Sequence, residues 1–245
     1  MKSIIKIVLF LILYSFDTFL LKSNENNETF TYGLKAGILW GGPIPTFTPE
    51  GFSGSPKFGP HLDLFFDYKI SNKVSFHPEI SLAIKGLTFS SHIKRDTLVE
   101  VNLGGTTGKI PTFYVADANG EMSLTYLDIP MFFTYKVEGI TTIYIGFQTS
   151  FLIGGKNEGS VHVVVGEGGF YDDVIKSFDS YNSLNKIDFS FCLGGVHDIS
   201  KKFAFGFYAT RSIVSFYKDG TLDKRDFGDA KMFNTFLVLS LFYKF

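Results

Sequence analysis

The strongest constraint on the fold is a two-residue hydrophobic period that continues to the end of the sequence. In the closing stretch LVLSLFYKF, every second position is apolar: Leu237, Leu239, Leu241, Tyr243 and Phe245. Chain ends are usually polar and poorly ordered unless a sheet or a docked helix holds them. Because the side chains of a strand alternate between two faces, the pattern predicts a closing β-strand with one apolar face.

The same period recurs in about eight segments, each close to the roughly 9 to 11 residues that a tilted strand needs to cross a bilayer. Short connections at 70–73, 137–140 and 198–202 alternate with longer ones at 41–57, 90–122, 154–185 and 217–230. Up-and-down membrane barrels have this alternation. The sequence therefore predicts an all-β fold, an eight-stranded antiparallel up-and-down transmembrane β-barrel.

The two faces of these segments differ in composition. One face consists almost entirely of Leu, Ile and aromatic residues, while Gly, Ser, Thr, Ala and the charged residues share the other. Only 19% of the residues are charged, below the roughly 25% of soluble domains. A lipid-facing exterior is the favoured interpretation, and a soluble ligand-carrying barrel, which keeps its apolar face inside, is the rival. The substitution Leu64→Arg distinguishes the two interpretations, since a lipid-facing Leu64 would not tolerate arginine and a soluble barrel would.

Aromatic residues mark one level of the predicted barrel. If the short connections are periplasmic, these residues lie on the apolar face near that side, and Trp40 lies near the opposite interface. Aromatic rings with one wet edge favour the membrane–water interface. We therefore expect a membrane-interface girdle, whose members are Tyr32, Tyr68, Phe76, Tyr135, Phe203, Tyr243, Phe245 and Trp40.

Residues 1–23 have the form of a secretory signal peptide. Two lysines precede an apolar run from Ile7 to Tyr14, and Asp17 ends the apolar stretch before it could span a bilayer as a helix. No A-x-A triplet marks the cleavage site, and an uncleaved anchor is the alternative. We expect residues 24–245 to form one barrel domain.

Charge and cysteine content exclude several classes of function. The formal net charge is −1, so the chain lacks the basic field of a nucleic-acid-binding protein. Cys192 is the single cysteine, which excludes an internal disulfide and a thiolate metal cluster. We predict no nucleic-acid partner and no cofactor.

The second face of the strands carries ionisable residues, which the narrow interior of a small barrel would bury. Since buried charges must pair, we expect a polar network in the lumen, consisting of Lys35, Asp63, Asp67, His77, Glu79, Lys85, Asp128, Gln148 and Asp188. His61 shares a strand face with Asp63, and His77 has the same spacing to Glu79. A metal site or an acid/base pair is the alternative for these residues, and the structural network is favoured.

Neither an enzyme nor a pore is favoured. No G-x-S-x-G motif is present. The acidic residues of the long connections are candidate groups for a barrel enzyme, but such residues are usually solvated: Asp96, Asp117, Asp172, Asp173 and Asp179. Eight strands enclose a lumen that side chains can fill, and inward aromatic residues would help to close it: Phe65, Phe132, Tyr144, Tyr208 and Phe236.

Three stretches carry a resemblance to a known family: YGLKAGI at 32–38, YLDIPMFFTYK at 126–136, and FNTFLVLSLFYKF at 233–245. They resemble the small outer-membrane β-barrels of the Bacteroidetes that are called PorT-like. The resemblance implies an eight-stranded barrel with periplasmic termini, and some members are tied to protein secretion across the outer membrane. The YKF ending also resembles the C-terminal aromatic signature that the barrel-assembly machinery recognises in outer-membrane barrels.

These observations together predict a non-enzymatic integral protein of the bacterial cell outer membrane, in a Gram-negative organism, with a packed lumen. It would act through extracellular loops or its periplasmic rim, as an accessory component of a secretion or envelope assembly. The alternatives are a stand-alone adhesin or structural barrel, and an outer-membrane barrel enzyme with a loop-borne active site. The expected partners are the lipid bilayer with its outer-membrane lipids, the barrel-assembly machinery during insertion, and an envelope protein.

Overall fold

The computed structural model describes residues 29–48, 50–103, 106–137, 141–166, 172–179, 181–218 and 231–245. The predicted signal peptide at 1–23 lies outside the described residues. The strands are β1 (Phe30–Pro45), β2 (Phe52–Lys69), β3 (Val74–Leu103), β4 (Thr106–Lys136), β5 (Thr141–Gly166), β6 (Asp172–Asp179), β7 (Ile187–Asp198), β8 (Phe203–Ser212) and β9 (Met232–Lys244), with a short 3₁₀ helix at Tyr181–Ser183. The described part of the chain contains no helix with the length and apolar composition of a membrane span.

Eight of these strands form a closed antiparallel ring in the order β1-β2-β3-β4-β5-β7-β8-β9. β9 returns to β1 in a register that pairs Gly33 with Lys244, and the Phe245 amide donates to the Tyr32 carbonyl at 3.0 Å. Closure gives each strand of the ring a partner on both sides, which is how a sheet satisfies its backbone groups in lipid. The predicted eight-stranded up-and-down barrel is confirmed, and β6 lies outside the ring, paired with β5.

The burial of the strands is inverted relative to a soluble barrel. In β8, Phe207 keeps 57% of its surface exposed while Ala204 is fully buried, and in β7 Leu193 is 60% exposed. Ionisable side chains lie inside, and Lys35 and Glu79 are each only 1% exposed. An apolar exterior around a charged interior suits a bilayer, because hydrocarbon does not solvate charges. The soluble ligand-carrying barrel is therefore disfavoured.

Two of the short connections use the same chemistry. In the β2–β3 turn, Ser71 Oγ accepts from the Val74 amide at 3.1 Å. In the β7–β8 turn, Ser200 Oγ accepts from the Phe203 amide at 3.0 Å. Serine hydroxyls commonly form such local bonds in turns. The stretches ISNK and ISKK therefore encode matching tight turns at the same end of the barrel.

The long connections predicted at 90–122 and 154–185 are wrong as loops, because most of these residues lie in strands. β3 and β4 continue as a hairpin, β5 continues along β4, and β6 adds to β5. We call this extension the outer sheet: residues 52–56 of β2, 87–103 of β3, 106–123 of β4, 156–166 of β5, and all of β6. The two-residue period persists there, but polar side chains replace the outward apolar ones, which hid the strands in the sequence.

A glycine bulge joins the outer sheet to the barrel. The register between β4 and β5 shifts at Ile153, because Tyr126 pairs with Leu152 and Thr125 pairs with Gly154. Gly155 follows with a φ of +124°, which side chains rarely adopt. Ile153 and Lys156 both point outward, while Asn157 is fully buried. An extra residue in one strand reverses its inward and outward positions. The bulge therefore keeps the charge of Lys156 out of the interior.

The lipid-facing surface of β2 can be tested at Leu64, which lies between Leu34 of β1 and Ile80 of β3. We expect Leu64→Arg to lower the free energy of unfolding by about 2 to 4 kcal/mol, because the guanidinium would lie in hydrocarbon. Urea titration of the protein in lipid vesicles would measure it. The exposed Ser55 of the outer sheet is the matched control, and Ser55→Arg should cost less than about 0.5 kcal/mol. Equal costs for the two variants would contradict a lipid-facing β2.

Candidate functional site

A buried group of charges occupies the inner half of the lumen, on the side of the short turns. Lys35 Nζ lies 2.7 Å from the Asp63 carboxylate and also pairs with Glu79. β1, β2 and β3 are neighbours in the ring, so their inward positions bring these three side chains together. One ammonium between two buried carboxylates compensates only part of their charge. Further hydrogen-bonding partners are needed to make such burial tolerable.

Two histidines supply these partners. His61 Nδ1 lies 3.0 Å from the Asp63 carboxylate. His77 Nε2 lies 3.1 Å from Glu79 Oε1, and its Nδ1 lies 3.4 Å from Asp67 Oδ1. The contacts connect all of these side chains into one group. We call it the inner ion cluster, and its members are Lys35, His61, Asp63, Asp67, His77 and Glu79.

The contacts of the inner ion cluster are those of a structural network. The His77 ring stacks on Phe65 with centroids 5.2 Å apart, and it lies 4.9 Å from the ring of Tyr144. Aromatic packing therefore encloses the imidazole. Among the described residues, no group of three or more His, Cys, Asp or Glu side chains could hold a metal ion. The geometry holds three strands together and offers a substrate no access to the imidazole.

A second polar layer crosses the lumen nearer its outer end. Lys85 pairs with Asp128 at 2.8 Å and donates to Ser150 Oγ at 3.4 Å. Gln148 donates to the same hydroxyl at 2.9 Å. Lys85, Gln148 and Asp128 come from three neighbouring strands, so the layer links β3, β4 and β5.

Asp188 belongs to this outer layer but has different partners. Its carboxylate accepts from Asn234 Nδ2 at 2.8 Å and from the Ser212 hydroxyl. Sequence reasoning missed both donors as members of the network. A signal for Asn234 was available, since it shares the inward face of β9 with Phe236. Ser212 lies at the end of β8, where no periodicity distinguishes a terminal serine from a solvated one.

Aromatic side chains fill the space between the polar layers. The five predicted inward aromatics are all buried: Phe65, Phe132, Tyr144, Tyr208 and Phe236. The gap beside Lys85, Gln148 and Tyr208 has a volume of about 10 Å³. A cavity of that size holds at most one water molecule. Within the described residues, the lumen is closed at this level.

Two connecting segments, 181–185 and 213–217, cover the outer end of the lumen, and we call them the outer cap. Leu184 and Phe216 are its buried anchors. The Asn185 amide donates to the Phe216 carbonyl at 3.0 Å, which joins the two segments. They pack on an apolar cluster formed by Leu87, Met122, Leu124, Tyr126, Leu152 and Met232. Burial raises the pKa of the Tyr217 hydroxyl, so this residue of the cap stays uncharged at neutral pH.

The outward face of the outer sheet is polar. Strand register places the following side chains on it: Ser53, Ser55, Thr88, Ser90, His92, Asp117, Asn119, Glu121, Ser123, Lys156, Glu158, Ser160 and His162. An open cleft of about 800 Å³ lies between Glu121 of β4, Glu158 of β5 and Ser177 of β6. Lys57 forms an ion pair with Glu121 at its edge. We call this open cleft, together with the outward side chains around it, the polar cleft.

One acid–base pair lies on the same face. His92 Nδ1 is 2.6 Å from Asp117 Oδ1. Their side chains are 59% and 48% exposed, so water screens the pair and no enclosed site surrounds it. The side chains of the other four acidic residues considered for a barrel enzyme lie outside the described residues: Asp96, Asp172, Asp173 and Asp179. Of these five acidic residues, the structure therefore describes a partner only for Asp117.

The predicted girdle residues are arranged around the exterior. The ring of Phe245 lies 5.4 Å from that of Tyr32 and 5.3 Å from that of Tyr243. Phe203 continues this row, 5.2 Å from Tyr243. Tyr68, Phe76, Tyr135 and Trp40 also lie on the outward face of their strands. An interfacial role for these eight residues stays a prediction.

The sequence matches a family model described as an outer membrane protein beta-barrel domain, over residues 22–218. The chain belongs to this outer-membrane β-barrel family. It resides in the bacterial outer membrane, with its apolar exterior in the lipid bilayer. In barrels of this class the short turns are periplasmic and the long connections are extracellular. The outer sheet, the outer cap and the polar cleft therefore belong to the extracellular side.

Several solved structures are similar to this outer-membrane barrel. Ail of Yersinia pestis, in complex with the heparin analogue sucrose octasulfate, has 11% identity and a TM-score of 0.39 over 89% of this chain and 99% of its own. Neisserial surface protein A has 10% identity and a TM-score of 0.39 over 88% and 97%. OprG from Pseudomonas aeruginosa has 12% identity and a TM-score of 0.35 over 89% and 96%. A search of the curated proteins found no match.

The inner ion cluster predicts a strong dependence of stability on Lys35. We expect Lys35→Met to lower the free energy of unfolding by about 3 to 5 kcal/mol, because Asp63 and Glu79 would remain buried without their cation. Urea titration in lipid vesicles would measure the change. The double variant Lys35→Met/Glu79→Gln should recover part of the loss, since it removes one of the two unpaired charges.

Lys244 provides the matched control for Lys35. It pairs with Asp198 at 2.5 Å, but the two side chains are 27% and 28% exposed. Since exposed ion pairs contribute little, Lys244→Met should cost less than about 1 kcal/mol. Similar losses for Lys35→Met and Lys244→Met would show that the inner ion cluster is not the strongly coupled group described.

Proposed function

We propose that this outer-membrane barrel is a non-enzymatic binding protein that acts through its outer sheet. The observation that supports the proposal is a filled lumen beneath a regular extracellular sheet. A barrel with a filled interior meets external partners through the surface that extends beyond the membrane. The outward side chains of the outer sheet that the structure describes are polar, so we propose a partner with a polar surface.

The filled lumen argues against conduction. The inner ion cluster, the layer around Lys85 and Asp128, and the outer cap lie one above another. A water-filled path would require all three to rearrange, and the first two are held by buried ion pairs. We therefore propose a structural role for the lumen.

Planar-bilayer recordings would test the absence of conduction. We expect the full-length protein to produce no stepwise currents, because a gap of about 10 Å³ between the polar layers does not admit hydrated ions. A bilayer that contains the same detergent without protein is the control. Reproducible unitary currents from the folded protein would contradict a closed lumen.

The outer sheet is well suited to hold a binding surface in place. Its inward face contributes Leu87 and Met122 to the apolar cluster under the outer cap. Its strands are continuous with the barrel, so the strand pairing holds the outward side chains in a regular arrangement. Binding by such a surface does not require the ordering of a long loop, which reduces the entropic cost of association.

The polar cleft can be tested by charge reversal at Glu121 and Glu158, which face each other across β4 and β5. We expect Glu121→Lys/Glu158→Lys to reduce recovery of a partner by about tenfold or more, because reversed charges act against electrostatic complementarity. Tagged protein would be extracted from the outer membrane in mild detergent, and bound proteins would be quantified by mass spectrometry against the wild type.

Asn72→Lys in the β2–β3 turn is the matched control, since it adds positive charge on the periplasmic side. It should leave recovery unchanged. The Asn72→Lys variant could instead lose the partner while the double variant Glu121→Lys/Glu158→Lys recovers it fully. That result would show that the binding surface lies at the periplasmic rim. If the wild type and all variants are recovered without a bound partner, a self-contained structural protein would be favoured.

We further propose that the partner is an envelope protein and that the barrel is an accessory component of a secretion assembly. The resemblance of 32–38, 126–136 and 233–245 to PorT-like barrels of the Bacteroidetes supports this proposal. The same proposal includes export by a signal peptide at 1–23. It also includes insertion by the barrel-assembly machinery, which would recognise the closing Phe245. Deletion should reduce the amount of secreted cargo, and unchanged secretion would remove the secretion role while leaving the outer-sheet proposal intact.

A further inference from the structure

The exterior of the barrel carries an apolar groove that the binding proposal does not use. It has a volume of about 450 Å³ and lies across β1, β2, β8 and β9. Tyr208 and Val238, which also line it, are buried, and the other six lining side chains point outward into the membrane: Ile38, Trp40, Phe58, Phe207, Leu237 and Leu239. We call it the lipid groove. Most of the barrel exterior is a convex surface of bulky side chains, so a concave site needs a cause.

Large side chains form the walls of the groove, and a small residue lies beside it. The rings of Trp40 and Phe58 lie 6.5 Å apart and form one wall, while Phe207 forms the other. On β8, the outward residue after Phe207 is Ala209, which pairs with Leu237 of β9. Leu237 pairs on its other side with Trp40. Ala209 contributes a single methyl group, so no large side chain follows Phe207 at the extracellular end of the groove.

Arg211 stands at this open end. It is two residues beyond Ala209 on the same face, a distance of about 7 Å along a strand. Arg211 Nη1 donates to Thr235 Oγ1 at 2.6 Å, and its guanidinium lies 5.8 Å from the ring of Phe233. In the part of the chain that the structure describes, no carboxylate forms an ion pair with it. The contacts hold the guanidinium in place and leave several of its donors available.

The groove lies near the level of Trp40, which is predicted at the outer membrane interface. Beyond Trp40, Leu237 and Ala209, the next outward residues are Gly42, Thr235 and Arg211. The exposed Ile44 and Ile213 lie farther out, so Arg211 interrupts the apolar surface one step beyond Trp40, close to the level expected for lipid headgroups. Arginine is suited to phosphate because its planar fork donates two parallel hydrogen bonds.

We propose that the lipid groove is a specific site for an anionic phosphorylated lipid of the outer leaflet. One acyl chain lies between Phe207 and the wall formed by Trp40 and Phe58, and the phosphate accepts hydrogen bonds from Arg211. A protein partner does not fit these observations, since the groove opens into hydrocarbon and its walls are apolar throughout. Ordinary bilayer packing without headgroup preference is the outcome that would overturn the proposal.

Trp40 makes the site directly observable, because it is the only tryptophan of the chain. The full-length protein would be reconstituted into phosphatidylcholine vesicles that contain a fixed fraction of lipid with brominated acyl chains, which quench tryptophan at contact. We expect brominated phosphatidic acid to quench with an apparent affinity about fivefold higher than brominated phosphatidylcholine, from one arginine at the headgroup level. Equal quenching by the two lipids would overturn the proposal.

Three variants separate the phosphate contact from general effects of charge. Arg211→Gln should reduce the fivefold preference to about one, since it removes the cation at the site. Lys156→Gln, which removes an exposed cation of the outer sheet, should leave the preference unchanged. A preference that survives Arg211→Gln would exclude Arg211 as the phosphate site. Ala209→Phe should fill the groove and weaken quenching by phosphatidic acid, which keeps the test decisive if Arg211→Gln fails to insert.

Discussion

The hydrogen bonds between β1 and β9 are the constraint on which the rest of the structure depends. In hydrocarbon, a strand edge has no water to satisfy its amides and carbonyls, so a sheet must close on itself. The register that pairs Gly33 with Lys244 achieves this closure. It also explains why alternation continues to Phe245, whose amide bonds to the Tyr32 carbonyl. A closing strand in lipid cannot end in a frayed polar tail before its partner is fully paired.

Closure in lipid also determines what the interior contains. The lipid-facing exterior is mostly apolar, and buried ionisable residues of β1, β2, β3, β4 and β7 are directed into a narrow lumen. There Lys35 cannot satisfy both Asp63 and Glu79 by charge alone, and His61 and His77 complete the network. Because buried charges are costly unless paired, the lumen becomes a set of cross-strand ion pairs packed with aromatic rings. The same arrangement that stabilises the barrel also closes it.

The sequence predicted the parts of the molecule that obey one strict period. The strands of the barrel, their lipid-facing side and the inward position of residues such as Lys35 and Glu79 all follow from alternation. The outer sheet was missed because its outward residues, for example Thr88 and Asn119, are polar and resemble those of a loop. The bulge at Ile153 also breaks the period, and the outer cap depends on contacts between Leu184 and Phe216 that no local pattern encodes.

The height of the sheet differs between the two sides of the barrel. β3, β4 and β5 rise far beyond the membrane and carry the polar cleft, whereas β7, β8 and β9 end near its outer boundary. On this low side, β8 ends at Ser212, one residue after Arg211. The two proposals use this asymmetry: the tall wall would meet a soluble partner through the polar cleft, and the low wall would bind a lipid through the lipid groove and Arg211.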